Sequence, residues 1–196
     1  MKYGCIFLIM CMFYACSTNQ NTIPVELSEG EIFFQTIKQT PFQKDTTFIL
    51  LVIKGNKVKT LYINQRPHFA TLRTCHKDTV QDIYLQNNVR KTALRVDTLN
   101  RKKIVFSALT KKDTLFWDIP AVIYFYTEKD KKFKFITWKD IRISAWIVQD
   151  LPMLSEYILD QFPVCIVVDS ANEKTFTQII RIEQKDIAEI EFEYKF

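Results

Sequence analysis

TTFILLVIKGNKVKTLYI, residues 46–63, decides the fold. Residues 48–53 are a nearly continuous apolar, β-branched run, Lys54-Gly55-Asn56 interrupts it, and residues 57–63 alternate apolar with polar. Alternation places every second side chain on one face of a strand, and a Gly-Asn pair between two such runs supplies the backbone freedom of a tight turn. The stretch therefore predicts a β-hairpin. Further strands are predicted over residues 81–85 and 92–98. A second hairpin is expected from 103–109 and 114–119 around Thr110-Lys111-Lys112-Asp113, and a third from 121–127 and 133–138 around Glu128-Lys129-Asp130-Lys131. Turns recurring every eight to twelve residues favour an antiparallel sheet.

After Trp138 the pattern changes. Asp150 precedes Pro152, and Met153, Leu154, Tyr157 and Ile158 follow at helical spacing, so a helix is expected over residues 152–161. A buried strand over 164–169, a helix over 174–183 and a strand over 187–194 complete the expected tail. The expected fold class is thus α+β, an antiparallel β-sheet of hairpins followed by a C-terminal helix-strand-helix-strand segment. It forms one domain over residues 31–196, with a sub-boundary admissible near 150.

The N-terminal end reads differently. Lys2 precedes an uncharged run over residues 3–14, which ends in Ala15-Cys16 and then a polar stretch. This has the form of an export signal; the run is shorter than the roughly twenty residues that cross a bilayer as a helix. Phe13-Tyr14-Ala15-Cys16 resembles the lipobox of bacterial lipoproteins in the relaxed form of the Bacteroidetes. The resemblance implies cleavage before Cys16, acylation of its thiol, and a lipid-anchored envelope protein. Ser17 resembles the residue found after the cysteine in lipoproteins sent to the outer membrane. Cleavage after Ser17 without lipid, or an uncleaved anchor, are the alternatives. Residues 16–30 are expected to be a leash whose function is reach.

Without residues 1–15 the chain loses only Lys2, leaving 26 basic and 22 acidic residues, a net charge of +4. Only Gly30 and Gly55 remain of three glycines. That excludes phosphate loops and dinucleotide fingerprints, which need several glycines so that backbone can approach phosphate. No cofactor and no nucleic-acid partner are expected. Cys75 and Cys165 could form a disulfide in an oxidising compartment, but Cys165 sits in an apolar run and reads better as a small buried hydrophobe.

Candidate chemistry is sparse. His68, Cys75, His76 and Asp78 could ligate zinc, or Cys75 could act as a nucleophile beside His76. Neighbouring strand residues point to opposite faces, however, and no paired ligand motif supports the site. The pairs Asp186/Glu189 and Glu191/Glu193 read as solvated charges. Lys and Arg cluster at residues 101–103, 111–112 and 129–134, near Phe116, Trp117, Phe133 and Trp138. They are read as solvated hairpin turns, with a basic face toward anionic lipid or glycan as the alternative. Trp117, Trp138 and Trp146 are candidates to line a cleft for a glycan or small apolar ligand.

Residues 163–196 resemble a stretch of the plug domain of TonB-dependent receptors. Pro163, Ile166, Val168 and Asp169 stand for its first strand, and Asp186, Ile187, Ile190 and Glu191 for its second. Ser170 replaces the family's usual Gly, and the sequence stops at Phe196 where a receptor would continue into its barrel. The resemblance implies a docking module. The expected role is therefore a non-catalytic envelope protein that binds a protein partner or envelope component. A glycan or apolar ligand is the first alternative, and an enzyme using Cys75 or His76 the second.

Overall fold

The computed structural model of the chain describes residues 27–63, 69–74, 79–86, 89–96, 101–154 and 156–192. The N-terminal half of the sheet is formed by β1 (Glu29–Gln39), β2 (Lys44–Lys54), β3 (Lys57–Ile63), β4 (Phe69–Thr74), β5 (Thr79–Gln86) and β6 (Val89–Val96), each antiparallel to the next. A short strand, β7 (Lys102–Ile104), and a 3₁₀ turn, Phe106–Ala108, leave the sheet before β8 (Thr110–Phe116), β9 (Ile119–Glu128) and β10 (Lys131–Trp138) form a second meander. After β11 (Tyr157–Leu159), β12 (Cys165–Asp169) and β13 (Lys174–Glu183) join the halves, giving the order β6-β5-β4-β3-β2-β1-β13-β12-β10-β9-β8. β7 and β11 pair in parallel apart from that sheet.

The hairpin of residues 46–63 forms as expected around Gly55, whose φ of 54° lies in the left-handed region that costs Gly least. The α+β expectation is wrong. The described residues of 152–161 hold a 3₁₀ turn, Pro152–Leu154, and then β11, and residues 174–183 are a strand between β1 and β12. The last of the four tail elements, expected as a strand over 187–194, passes through the 3₁₀ turn Glu189–Glu191, and residues 193–196 lie outside the described set. The strand expected at 164–169 is present as β12.

The error in β13 has a physical cause. Its pairing with β1 slips between Phe33 and Phe34, so that Ile179 faces Phe34, Arg181 faces Phe33, and Ile180 is the extra residue of a β-bulge. Thr177, Ile179 and Ile182 are the buried residues, and the bulge stretches one interval from two positions to three. That spacing imitates a helix. The β-branched content of Thr175, Thr177, Ile179, Ile180 and Ile182 favours the strand.

Both faces of the sheet carry cover. On the inner face Ile32, Phe34, Leu51, Phe133, Phe135 and Ile166 pack beneath Ile104, Phe106 and a strap of residues 139–162, of which Ile147, Leu151, Leu154 and Phe162 are buried. Fully burying each such side chain contributes about 1.5–3 kcal/mol. The strap is pinned to β3 and β4 by polar contacts. Arg73 donates from Nε and Nη2 to the two carboxylate oxygens of Asp150 at 2.8 and 2.7 Å, and Tyr62 Oη donates to the Asp150 carbonyl at 2.8 Å. On the outer face, Ile187 and Phe192 cover Val52, Leu50, Leu61 and Leu72. Lys59 Nζ donates to the Glu191 carbonyl at 2.7 Å, and the Ile187 N–H donates to Glu29 at 2.8 Å, fastening this terminal segment across β1–β3. At Gly30, φ is 145° and an added Cβ would meet the Glu183 carbonyl oxygen, so the start of β1 lies against β13 too closely for a side chain.

Candidate ligand cleft

The cleft lies at the end of the sheet where β1 begins and β10 finishes. It encloses about 600 Å³, and its lining includes Trp138, Trp146, Arg142, Ser144, Gln161 and Ser28. Trp138 is only 6% exposed and donates its indole N–H to the Phe116 carbonyl at 3.1 Å, so it forms a fixed wall. Trp146 is the second residue of the 3₁₀ turn Ala145–Val148 and is half-buried, which leaves part of its ring available to an occupant. The Thr137 hydroxyl donates to Gln161 Oε1 at 3.4 Å, and an Asp160 carboxylate oxygen accepts the Phe106 N–H at 3.0 Å. These bonds orient two polar side chains of the lining, Gln161 and Asp160. Arg142 is exposed, and no ion-pair partner is found for it among the described residues.

Of the three tryptophans singled out in the sequence, Trp138 and Trp146 line this cleft and Trp117 stands behind it. Trp117 stacks on Phe116 with ring centroids 5.5 Å apart, and its ring lies 5.8 Å from that of Trp138. It occupies the two-residue turn between β8 and β9 with Asp118, at φ values of 55° and 60°. Such a turn is normally built from Asn and Gly, because side chains resist positive φ. The aromatic stack of Phe116, Trp117 and Trp138 holds the turn in that conformation.

The cysteine-histidine candidates His68, Cys75, His76 and Asp78 lie outside the described residues. Glu189 pairs with Lys57 at 3.0 Å, and Glu191 offers its backbone carbonyl to Lys59, while Glu193 lies outside the described set. Cys165 is a buried free thiol, pushed up to about 12 by burial, so it is a poor nucleophile. Among the described residues no group of three His, Cys, Asp or Glu side chains gathers at metal-binding distance.

A charged cluster at the opposite end of the sheet ties β7 to β9. Lys102 Nζ contacts Glu128 at 2.8 Å, and Tyr157 and Tyr126 donate to the same carboxylate at 2.9 and 3.2 Å. The Lys102 bond and then the Tyr157 bond hold the Glu128 carboxyl below its ordinary value, while the Glu128 bond raises Lys102. The cluster is structural: it joins the covering layer to the rim of the sheet.

Sequence reasoning missed Arg142, Ser144 and Gln161, because none belongs to a local motif and the fold alone gathers them. No protein-family model matches the chain, and a search of curated proteins finds no match to its sequence. In solved structures, the P21 crystal form of PNGF-II overlays 85% of this chain and 30% of its own with a TM-score of 0.50 at 5% identity. The C2 form overlays 83% of this chain and 29% of its own, with a TM-score of 0.48 at 6% identity. The chain thus spans about three-tenths of PNGF-II, and the likeness is one of fold alone. An outer membrane lipoprotein-sorting protein domain from Vibrio parahaemolyticus overlays 83% of this chain and 89% of its own, with a TM-score of 0.37 at 9% identity.

Proposed function

We propose that the protein is a lipid-anchored, non-catalytic binding module of the cell envelope, held by acylated Cys16, whose cleft, lined by Trp138 and Trp146, seats a hydroxyl-rich ligand such as a glycan. The observation that carries this reading is the cleft itself. A fixed indole, Trp138, and a second, partly open one, Trp146, line it together with hydroxyl, amide and carboxylate side chains. Polar groups predominate in the lining, which suits a sugar, with an apolar ring face and hydroxyl edges, better than a purely apolar molecule. Leu27 and Ser28 belong to the lining, eleven and twelve positions after Cys16, so an extended leash keeps the cleft within about 40 Å of the lipid surface.

The test is tryptophan fluorescence of the purified protein during titration with envelope oligosaccharides, compared with Trp146→Ala. Saturable quenching that the variant loses supports the glycan seat. No response to any oligosaccharide removes it, and native crosslinking with mass spectrometry then asks whether the binding partner is a protein.

A further inference from the structure

The basic clusters at 111–112 and 129–134, expected on turns, lie mainly inside strands: Lys111 and Lys112 in β8, and Lys131, Lys132 and Lys134 in β10. Strand alternation therefore sorts them by face. Lys112, Lys132 and Lys134 share the outer face, and the register extends it across the sheet. One row runs Thr110, Phe125, Lys134, Val167, Phe176, Ile37 from β8 to β1. The row beside it runs Thr127, Lys132, Asp169, Lys174, Gln39, Lys44 from β9 to β2.

Lys44, Lys112, Lys132, Lys134 and Lys174 are all exposed, and none has an ion-pair partner among the described residues. Asp169 is the single acid within the two rows. The contrast with the rest of the outer face is sharp. There Lys54, Lys57 and Lys185 each meet a carboxylate, and the terminal segment covers the apolar residues. Here a row rich in cations lies beside a row of partly exposed apolar side chains, Phe125, Val167, Phe176 and Ile37, and at the same end the β1–β2 turn presents Phe42, which is 97% exposed.

We propose that this part of the outer face, on β8–β10, β12, β13, β1 and β2, docks on an anionic lipid surface. The inference rests on the anchored reading, which brings the domain to a bilayer. Charge selects the occupant: unpaired lysines near a membrane are drawn to anionic headgroups, and half-buried Phe and Val side chains between them enter the interface. Length permits the orientation. β1 spans ten residue steps, about 33 Å, and the leash from Cys16 to Leu27 reaches about 40 Å, so the sheet can lie flat while its anchor stays in the same bilayer.

The experiment uses the whole protein purified from its host membranes and placed in vesicles of phosphatidylcholine with or without phosphatidylglycerol. Lysines are acetylated briefly and each site is quantified by mass spectrometry. Lys112, Lys132 and Lys134 are expected to react at least fivefold more slowly on anionic than on neutral vesicles, and to recover in high salt. Lys91, Lys103 and Lys111, exposed elsewhere, should react equally on both. Equal rates at the first three, or equal protection of all six, overturn the proposal. The same spectra read the Cys16 peptide. An unmodified Cys16 removes the anchor alone, and the face is then judged by the same acetylation pattern with vesicles added to the soluble protein. In that case Lys112/Lys132/Lys134→Gln is expected to weaken vesicle binding on the order of a hundredfold.

Discussion

Removing Asp150 should unfasten the strap. Arg73 and Asp150 have side chains only 5% and 4% exposed, and two short, parallel hydrogen bonds join the guanidinium on β4 to the carboxylate on the strap. Asp150→Ala leaves a buried guanidinium without that counter-ion, and breaking a buried pair in this way costs about 3–5 kcal/mol. Arg73→Met strands the carboxylate and should cost a similar amount. Replacing both, as Arg73→Met with Asp150→Leu, removes two desolvation penalties together with their attraction, so the double variant should be more stable than either single one. Urea unfolding followed by tryptophan fluorescence measures all four proteins. With a slope of about 3 kcal/mol per molar, each single variant lowers the midpoint by at least about 1 M. Single variants within about 1 kcal/mol of the parent, or a double variant whose loss equals the sum of the two, would refute the view that this pair latches the strap.

Three other outcomes follow from particular sites. Asp118→Gly should raise stability by about 0.5–1 kcal/mol, seen as a higher melting temperature, because Gly accepts the φ of 60° that Asp resists. Cys165, buried and with its thiol pushed up to about 12, should stay unmodified by iodoacetamide at pH 8 in the native protein and react once urea unfolds it. Glu128 is held below its ordinary 4.5, so its contribution is fully present above that value and disappears as pH falls through the lower folded value. Glu128→Gln should therefore destabilise at pH 7 and approach the parent in strong acid, as measured by melting temperature against pH.

Much of the sheet is legible in the sequence where period and turn chemistry agree. Residues 46–63 have both, and they form β2 and β3 about Gly55. The hairpin of β8 and β9 lacks the second signal. Its turn is Trp117-Asp118 rather than the polar 110–113, so the sequence misplaces both the turn and the lysines beside it. In β13 a bulge breaks the period, and among the described residues of 152–161 a 3₁₀ turn and then β11 give helical spacing without a helix. Of the candidate cleft, the aromatic residues Trp138 and Trp146 are visible beforehand because large rings stand out. Arg142, Ser144 and Gln161 are ordinary polar residues until the strap brings them to the end of β10.

The position of β1 carries a consequence for how the chain is made. Its two neighbours are β2, which follows at once, and β13, so Thr36 bonds to Thr177 across 141 residues. During synthesis the hairpin with β2 can close within microseconds. Gln39 must wait for its partner Lys174, 135 positions later, which at roughly 5–20 residues per second takes on the order of ten to thirty seconds. Throughout that interval the open edge of β1 is a template for any extended chain nearby. A chain ending before β13 would leave its two meanders unjoined, each with an unpaired edge, and such a fragment should aggregate rather than fold into a smaller version of the domain.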